Sequence, residues 1–163
     1  MKKALIFSLL LSVVMGLCAF NLKTTKALKK LSAADSLQAD RKHYMDEFRL
    51  AIKGKEKAPA DSVFKNIKLF KGVPAGRVLA IMNFGYSNSL GVSCGHCHDT
   101  QHFEMDTKPE KEITRKMAAM SAKINNVLLK SIDGLKGPNP VVNCTTCHRG
   151  SVKPALDMSD PAK

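Results

Sequence analysis

Cys94-Gly95-His96-Cys97-His98 and Cys144-Thr145-Thr146-Cys147-His148 are two copies of one five-residue pattern, C-x-x-C-H. Two thiols on one short turn can add across the two vinyl groups of a single haem, and the adjacent His is then held beneath the iron as an axial ligand. Cys94, Cys97 and His98 therefore fix one covalent haem c, and Cys144, Cys147 and His148 a second. The competing reading is a zinc site of paired C-x-x-C motifs, or two disulfides in an oxidising compartment. A His directly after both second cysteines argues against it. So does the separation, because 46 residues lie between Cys97 and Cys144, against about 12–20 in paired zinc motifs.

A six-coordinate haem needs a second axial donor, usually Met or His. Upstream of the first motif, Pro74 suits the first position of a helix, and Val78, Leu79, Met82 and Tyr86 recur at helical intervals after it. This helix should end around Ser89 to Gly91, allowing the chain to turn and bring Cys94 opposite the Met82 thioether. Between the motifs, Thr107-Lys108-Pro109-Glu110 reads as a capping box. Ile113, Met117, Met120, Ile124 and Val127 then form an amphipathic stripe that should lie over the second haem. Met117 and Met120 both face inward in this reading, and spacing does not choose the ligand between them. Gly134, Gly137, Pro138 and Pro140 break the chain before Cys144. The remaining histidines have weaker claims on iron: His96 lies inside the first attachment loop, His102 is only four residues beyond His98, and His43 lies on a weaker candidate helix from about Leu37 to Lys53, ended by Gly54.

The chain has 163 residues, enough for one domain, with 44% hydrophobic and 25% charged residues. Aromatics are 6% with no Trp, which argues against a core built mainly of packed rings and leaves room for a cofactor. The net charge of +12 alone would suit nucleic acid, an anionic membrane or an acidic protein. Lys2 and Lys3, however, precede a 17-residue stretch without charge, Ala4 to Phe20, which has the form of an export signal. Export removes the nucleic-acid reading. The end of this leader admits three fates: cleavage near Ala19, retention as a short anchor, or lipidation at Cys18. The expected organisation is a signal peptide or anchor over residues 1–20, a flexible basic linker over 21–36, and a di-haem cytochrome domain over 37–163. The domain should be mostly α-helical, about four helices in which helix, turn and C-x-x-C-H occur twice, with no substantial sheet.

Val63 to Asn66, Ala80-Ile81-Met82, Ser89-Leu90-Gly91-Val92, Arg115-Lys116-Met117-Ala118-Ala119-Met120, Ile124-Asn125 and the run from Cys144 to Gly150 resemble the cytochrome c subunit of photosynthetic reaction centres. The resemblance spans roughly residues 61–153. It implies that Met82 is the distal ligand of the first iron and Met117, rather than Met120, that of the second. It also implies a reaction centre or similar membrane complex as partner. The best-known members carry four haems, whereas this chain has one pair of motifs, and a distal His of the family finds no match near Ser131.

With His and Met bound at both irons no position is open to substrate, and the expected function is one-electron relay between redox partners on the periplasmic side of the inner membrane, not enzymatic catalysis. Excess Lys and Arg would steer docking onto acidic surfaces, and Arg149 is a candidate to pair with a propionate. The rivals are a di-haem peroxidase, which needs a displaceable distal ligand and acid–base groups, and a basic zinc-binding module.

Overall fold

The computed structural model describes residues 34–135, 137 and 140–156. The expected leader at 1–20, Cys18, Pro138 and most of the expected linker lie outside these residues. Two units meet at Ala39 and Asp40, and the second, Asp40–Lys163, contains the candidate site. The described residues of the first unit, 34–39, are helical, so helix starts before the expected Leu37. In the second unit, helix α1 covers residues 40–51, and Gly54 follows with a left-handed φ of +81°.

Helix α2 is the single turn Ala60–Val63, and α3 starts as Ala75–Ala80. Pro59 and Pro74 precede these helices and form an isolated antiparallel bridge with each other. The bridge is made by Ala60 N–H donating to the Val73 carbonyl at 2.8 Å and Ala75 N–H to that of Ala58 at 2.9 Å. Pro74 is thus the N-cap, with ψ 134°, one position before the N1 role expected for it. Its fixed φ still starts the helix, since a proline there loses no hydrogen bond the helix would have used.

From Ile81 to Ser87 this helix is a π-helix, and it regains α geometry over Asn88–Leu90 before Gly91 ends it at φ +65°. Helix α4 runs over Pro109–Lys123 and continues as a π segment, Ile124–Leu128, and a 3-10 turn, Leu129–Ser131. Its N-cap is Lys108, which makes no side-chain cap hydrogen bond. The capping box expected from Thr107 to Glu110 is therefore not formed, and the Lys108 ammonium instead donates to the Gly95 carbonyl. Helix α5 is Cys144–His148, the second motif itself. Among the described residues there is no strand, and the fold is mostly helical as expected.

The buried centre is small: Met45, Ile52, Ala75 and Leu79, with Phe48, Val63 and Phe64 packed against it. Rings contribute more than the composition suggested. Phe48 meets Phe64 at 6.2 Å and Phe103 at 4.8 Å, both edge to face, and Tyr44 meets Phe103 at 5.3 Å. Helix α4 buries none of its residues: Ile113 is 57%, Met117 39% and Met120 48% exposed. Among the described residues no protein surface buries this stripe, the face expected to lie over the second haem.

Candidate cofactor-binding site

Behind the first motif lies a cavity of about 450 Å³, whose walls include Met82, Tyr86, Cys94, Cys97 and His98. That volume is within the range of roughly 300–1,000 Å³ usual for cofactor sites. Helix α3 supplies Met82, which is the second residue of its π segment. The extra residue in a π turn re-aims the side chains around it, and such turns recur at functional sites. The 3-10 turn Cys94–His96 supplies the thiols. It is held from three directions: Asp40 of α1 accepts from Cys94 N–H at 3.0 Å, Lys108 binds the Gly95 carbonyl, and Thr114 of α4 sits 3.7 Å from the Cys97 sulfur.

His98 carries the clearest chemical signal. Its Nδ1 lies 3.1 Å from the Phe103 carbonyl, which can only accept, so Nδ1 bears the proton and the Nε2 lone pair is left free. Metal-bound histidines show this arrangement almost invariably, because the second hydrogen bond fixes both tautomer and ring direction. Burial lowers the His98 pKa, which keeps the ring neutral. Burial also raises the Cys94 thiol to about 11, assisted by Asp40, and pushes Cys97 upward too.

The second motif repeats the histidine geometry with different local means. Asn143 caps α5 through a reciprocal box, its side chain accepting from Thr146 N–H while the Thr146 hydroxyl accepts from Asn143 N–H, each at 3.1 Å. His148, only 9% exposed, donates from Nδ1 to the Ser151 carbonyl at 3.1 Å, again freeing Nε2. Burial raises the Cys144 thiol. Helix α4 holds the approach to this turn through Asn125, which donates to the Val142 carbonyl and accepts from Val142 N–H, both at 2.8 Å. The exposed stripe of Ile113, Met117, Met120 and Val127 lies on the same helix. Contiguous exposed apolar surface of this kind marks a binding face.

The second turn is joined directly to the last turn of α3, the helix that carries Met82. Gly150 N–H donates to the Ser89 carbonyl at 2.7 Å, and the Ser89 and Thr145 hydroxyls are 2.6 Å apart. Tyr86 lines the first cavity, and its hydroxyl is pushed up to about 12 by burial, with Cys144 close enough to contribute.

Other residues singled out from the sequence sit elsewhere. His43 and His102 are exposed, His43 with Nε2 4.0 Å from Glu47, and Arg149 is exposed at a left-handed φ of +50°. Missed from the sequence were Asp40, Asn125 and the Asn143 cap, and also Asp106, whose carboxylate gathers Asn66, Lys68, Lys111 and Arg115. Only Asn143-x-x-Thr146 had a local pattern that could have been read in advance. The four motif cysteines form no disulfide, and among the described residues no three His, Cys, Asp or Glu side chains converge as a metal-ion site.

Thiols in pairs, each pair followed by a histidine whose Nδ1 is tied to a carbonyl and whose Nε2 is free, suit covalent haem rather than zinc. A mostly helical scaffold carrying such turns has the architecture of a c-type cytochrome. The chain belongs to the photosynthetic reaction centre cytochrome C subunit family, whose model matches residues 18–159. It is 27% identical over 86 residues to cytochrome c-554 of Chloroflexus aurantiacus, covering 53% of this chain and 20% of that protein. It is 29% identical over 79 residues to the photosynthetic reaction center cytochrome c subunit of Rubrivivax gelatinosus, covering 42% of this chain and 22% of that one. These matches thus span about a fifth of the length of either relative.

Proposed function

We propose that the chain is an exported di-haem c-type cytochrome that relays single electrons between redox partners at the periplasmic face of the inner membrane, and is not an enzyme. The observation that carries this reading is the matched pair of histidines, each with Nδ1 tied to a carbonyl at 3.1 Å and Nε2 free beside two cysteines. When bound, each haem supplies a one-electron iron couple. The chain's residues attach, ligate and position it. Cys94 and Cys97 would hold the first haem and Cys144 and Cys147 the second, each thiol S–H adding across one vinyl double bond with no leaving group.

His98 and Met82 would ligate the first iron, and His148 and Met117 the second. A Met thioether beside a His at each iron would raise its potential relative to a pair of histidines, and with both bound no position would be open to substrate. The face of α4 favours Met117 over Met120. At about 100° per residue, Met117 lies only some 40° around the helix from Ser121, whereas Met120 lies about 100° away. Ser121 and Asn125 both bond the Val142 carbonyl, at 3.4 Å and 2.8 Å, so Met117 is the one more nearly on the helix face that meets the segment leading into the second motif.

The partner would be a membrane electron-transfer complex, and family membership favours a photosynthetic reaction centre. The charge of +12 would speed docking onto acidic patches and make it salt-sensitive. Among the described residues no helix is long and apolar enough to cross a membrane, so any tether would be the leader or a lipid at Cys18.

Mass spectrometry of the exported chain, with haem staining after denaturing electrophoresis, tests the reading. Two covalent haems are expected, with the stain retained on the polypeptide. One haem, or stain lost on denaturation, refutes it.

A further inference from the structure

His98 and His148 make the same hydrogen bond to different kinds of acceptor. The Phe103 carbonyl, which accepts from His98 Nδ1–H at 3.1 Å, also accepts from the Lys111 ammonium at 2.8 Å. Lys111 is locked there. Its side chain is only 11% exposed, and its ammonium also reaches the Met105 carbonyl at 2.7 Å and the Asp106 carboxylate at 3.1 Å, one partner for each of its three donors. The Ser151 carbonyl accepts from His148 at 3.1 Å, and among the described residues no Lys or Arg shares it.

We propose that Lys111 is a positioning residue that raises the potential of the first haem relative to the second, by sharing the Phe103 carbonyl with the proximal His98. An ammonium on a carbonyl draws its electron density toward Nζ, and the carbonyl becomes a poorer acceptor for Nδ1–H. The proton stays closer to Nδ1. The ring then has less imidazolate character and supports ferric iron less well, which is the outer-shell lever on a haem potential. The fixed positive charge of a nearly buried Lys acts in the same direction, since oxidation adds positive charge at the iron. Two otherwise similar His–Met sites would thereby differ, and an electron would rest preferentially on the first.

The inference rests on the two-haem reading above, so covalent haem is counted by mass on the same full-length samples. A chain lacking haem at Cys94 and Cys97 overturns both; in a chain with two haems the potentials decide. In a spectroelectrochemical titration, Lys111→Met should lower one of the two midpoint potentials and leave the other in place, and Lys111→Arg should restore most of the shift. Lys68→Met removes another cation from the same Asp106 carboxylate, which Lys68 meets at 2.6 Å, without a bond to Phe103; its effect should be clearly smaller. Equal movement of both potentials, movement of neither, or a Lys68→Met shift as large as that of Lys111→Met overturns the proposal. Proton NMR of the unaltered ferrous protein needs no variant to fold. The His98 Nδ1–H should resonate upfield of that of His148, as the weaker hydrogen bond, and coincident or reversed positions overturn the proposal as well.

Discussion

Met117 and Met120 differ by three positions on one helix, yet different fates are expected for them. Met117→Ala should abolish the thioether-to-ferric-iron absorption band of one haem and lower that haem's potential, because the ligand favouring ferrous iron is lost. Met120→Ala should leave the band intact. With Met120 48% exposed, its truncation should cost the polypeptide less than the about 2–5 kcal/mol of a fully buried methionine, measured by denaturant unfolding. The reverse spectral outcome would move the ligand to Met120 while leaving the two-haem function in place. At this scale the candidate attachment residues were legible in the sequence as a motif, because Cys-x-x-Cys-His is a local pattern whose chemistry is complete within five residues. Their supports were not. Asp40 is 54 positions from Cys94, and Asn125 is 17 from Val142; contacts at such separations leave no periodic trace.

Among the elements, α3 and α4 were readable from apolar spacing and from Pro74, Gly91 and Pro109, which act through backbone geometry alone. The π segments Ile81–Ser87 and Ile124–Leu128 were not, since one extra residue in a turn leaves a short apolar stripe nearly unchanged. Gly91 links the two kinds of information. It has φ +65°, and a β-carbon there would lie 2.1 Å from the Gly150 carbonyl oxygen. Gly91→Ala should therefore cost more than the ~1–2 kcal/mol of a left-handed L-residue alone, because backbone must also move. Thermal unfolding should show a Tm lowered by several degrees. An unchanged Tm would mean that the turn around Gly150 yields without cost.

Few apolar side chains are buried among the described residues, and ionic ties take on part of the work of holding these segments together. Asp106 joins Asn66 and Lys68 to the Lys111 and Arg115 side chains of α4. Hydrogen bonds from Arg115 first, then Lys68, hold its pKa well below the usual carboxylate range. A folded-state pKa below the unfolded value of about 3.9 contributes stability that is complete above that value and is lost as pH falls through the folded one. Stability of the unaltered protein should thus decline in acid below about pH 4, and Asp106→Asn should be less stable at neutral pH with a shallower acid decline. Parallel acid curves for the two proteins would remove Asp106 from this role. The junction where Ser89 meets Thr145 and Gly150 has a further consequence for the proposed relay. Electron tunnelling is acutely sensitive to distance, and this junction yokes the second attachment turn to the end of the helix that carries Met82 through two hydroxyls and one backbone hydrogen bond. The pace of the internal hop would then be set by a few atoms with no redox chemistry of their own, and loosening them would slow the relay while leaving each haem's colour unchanged.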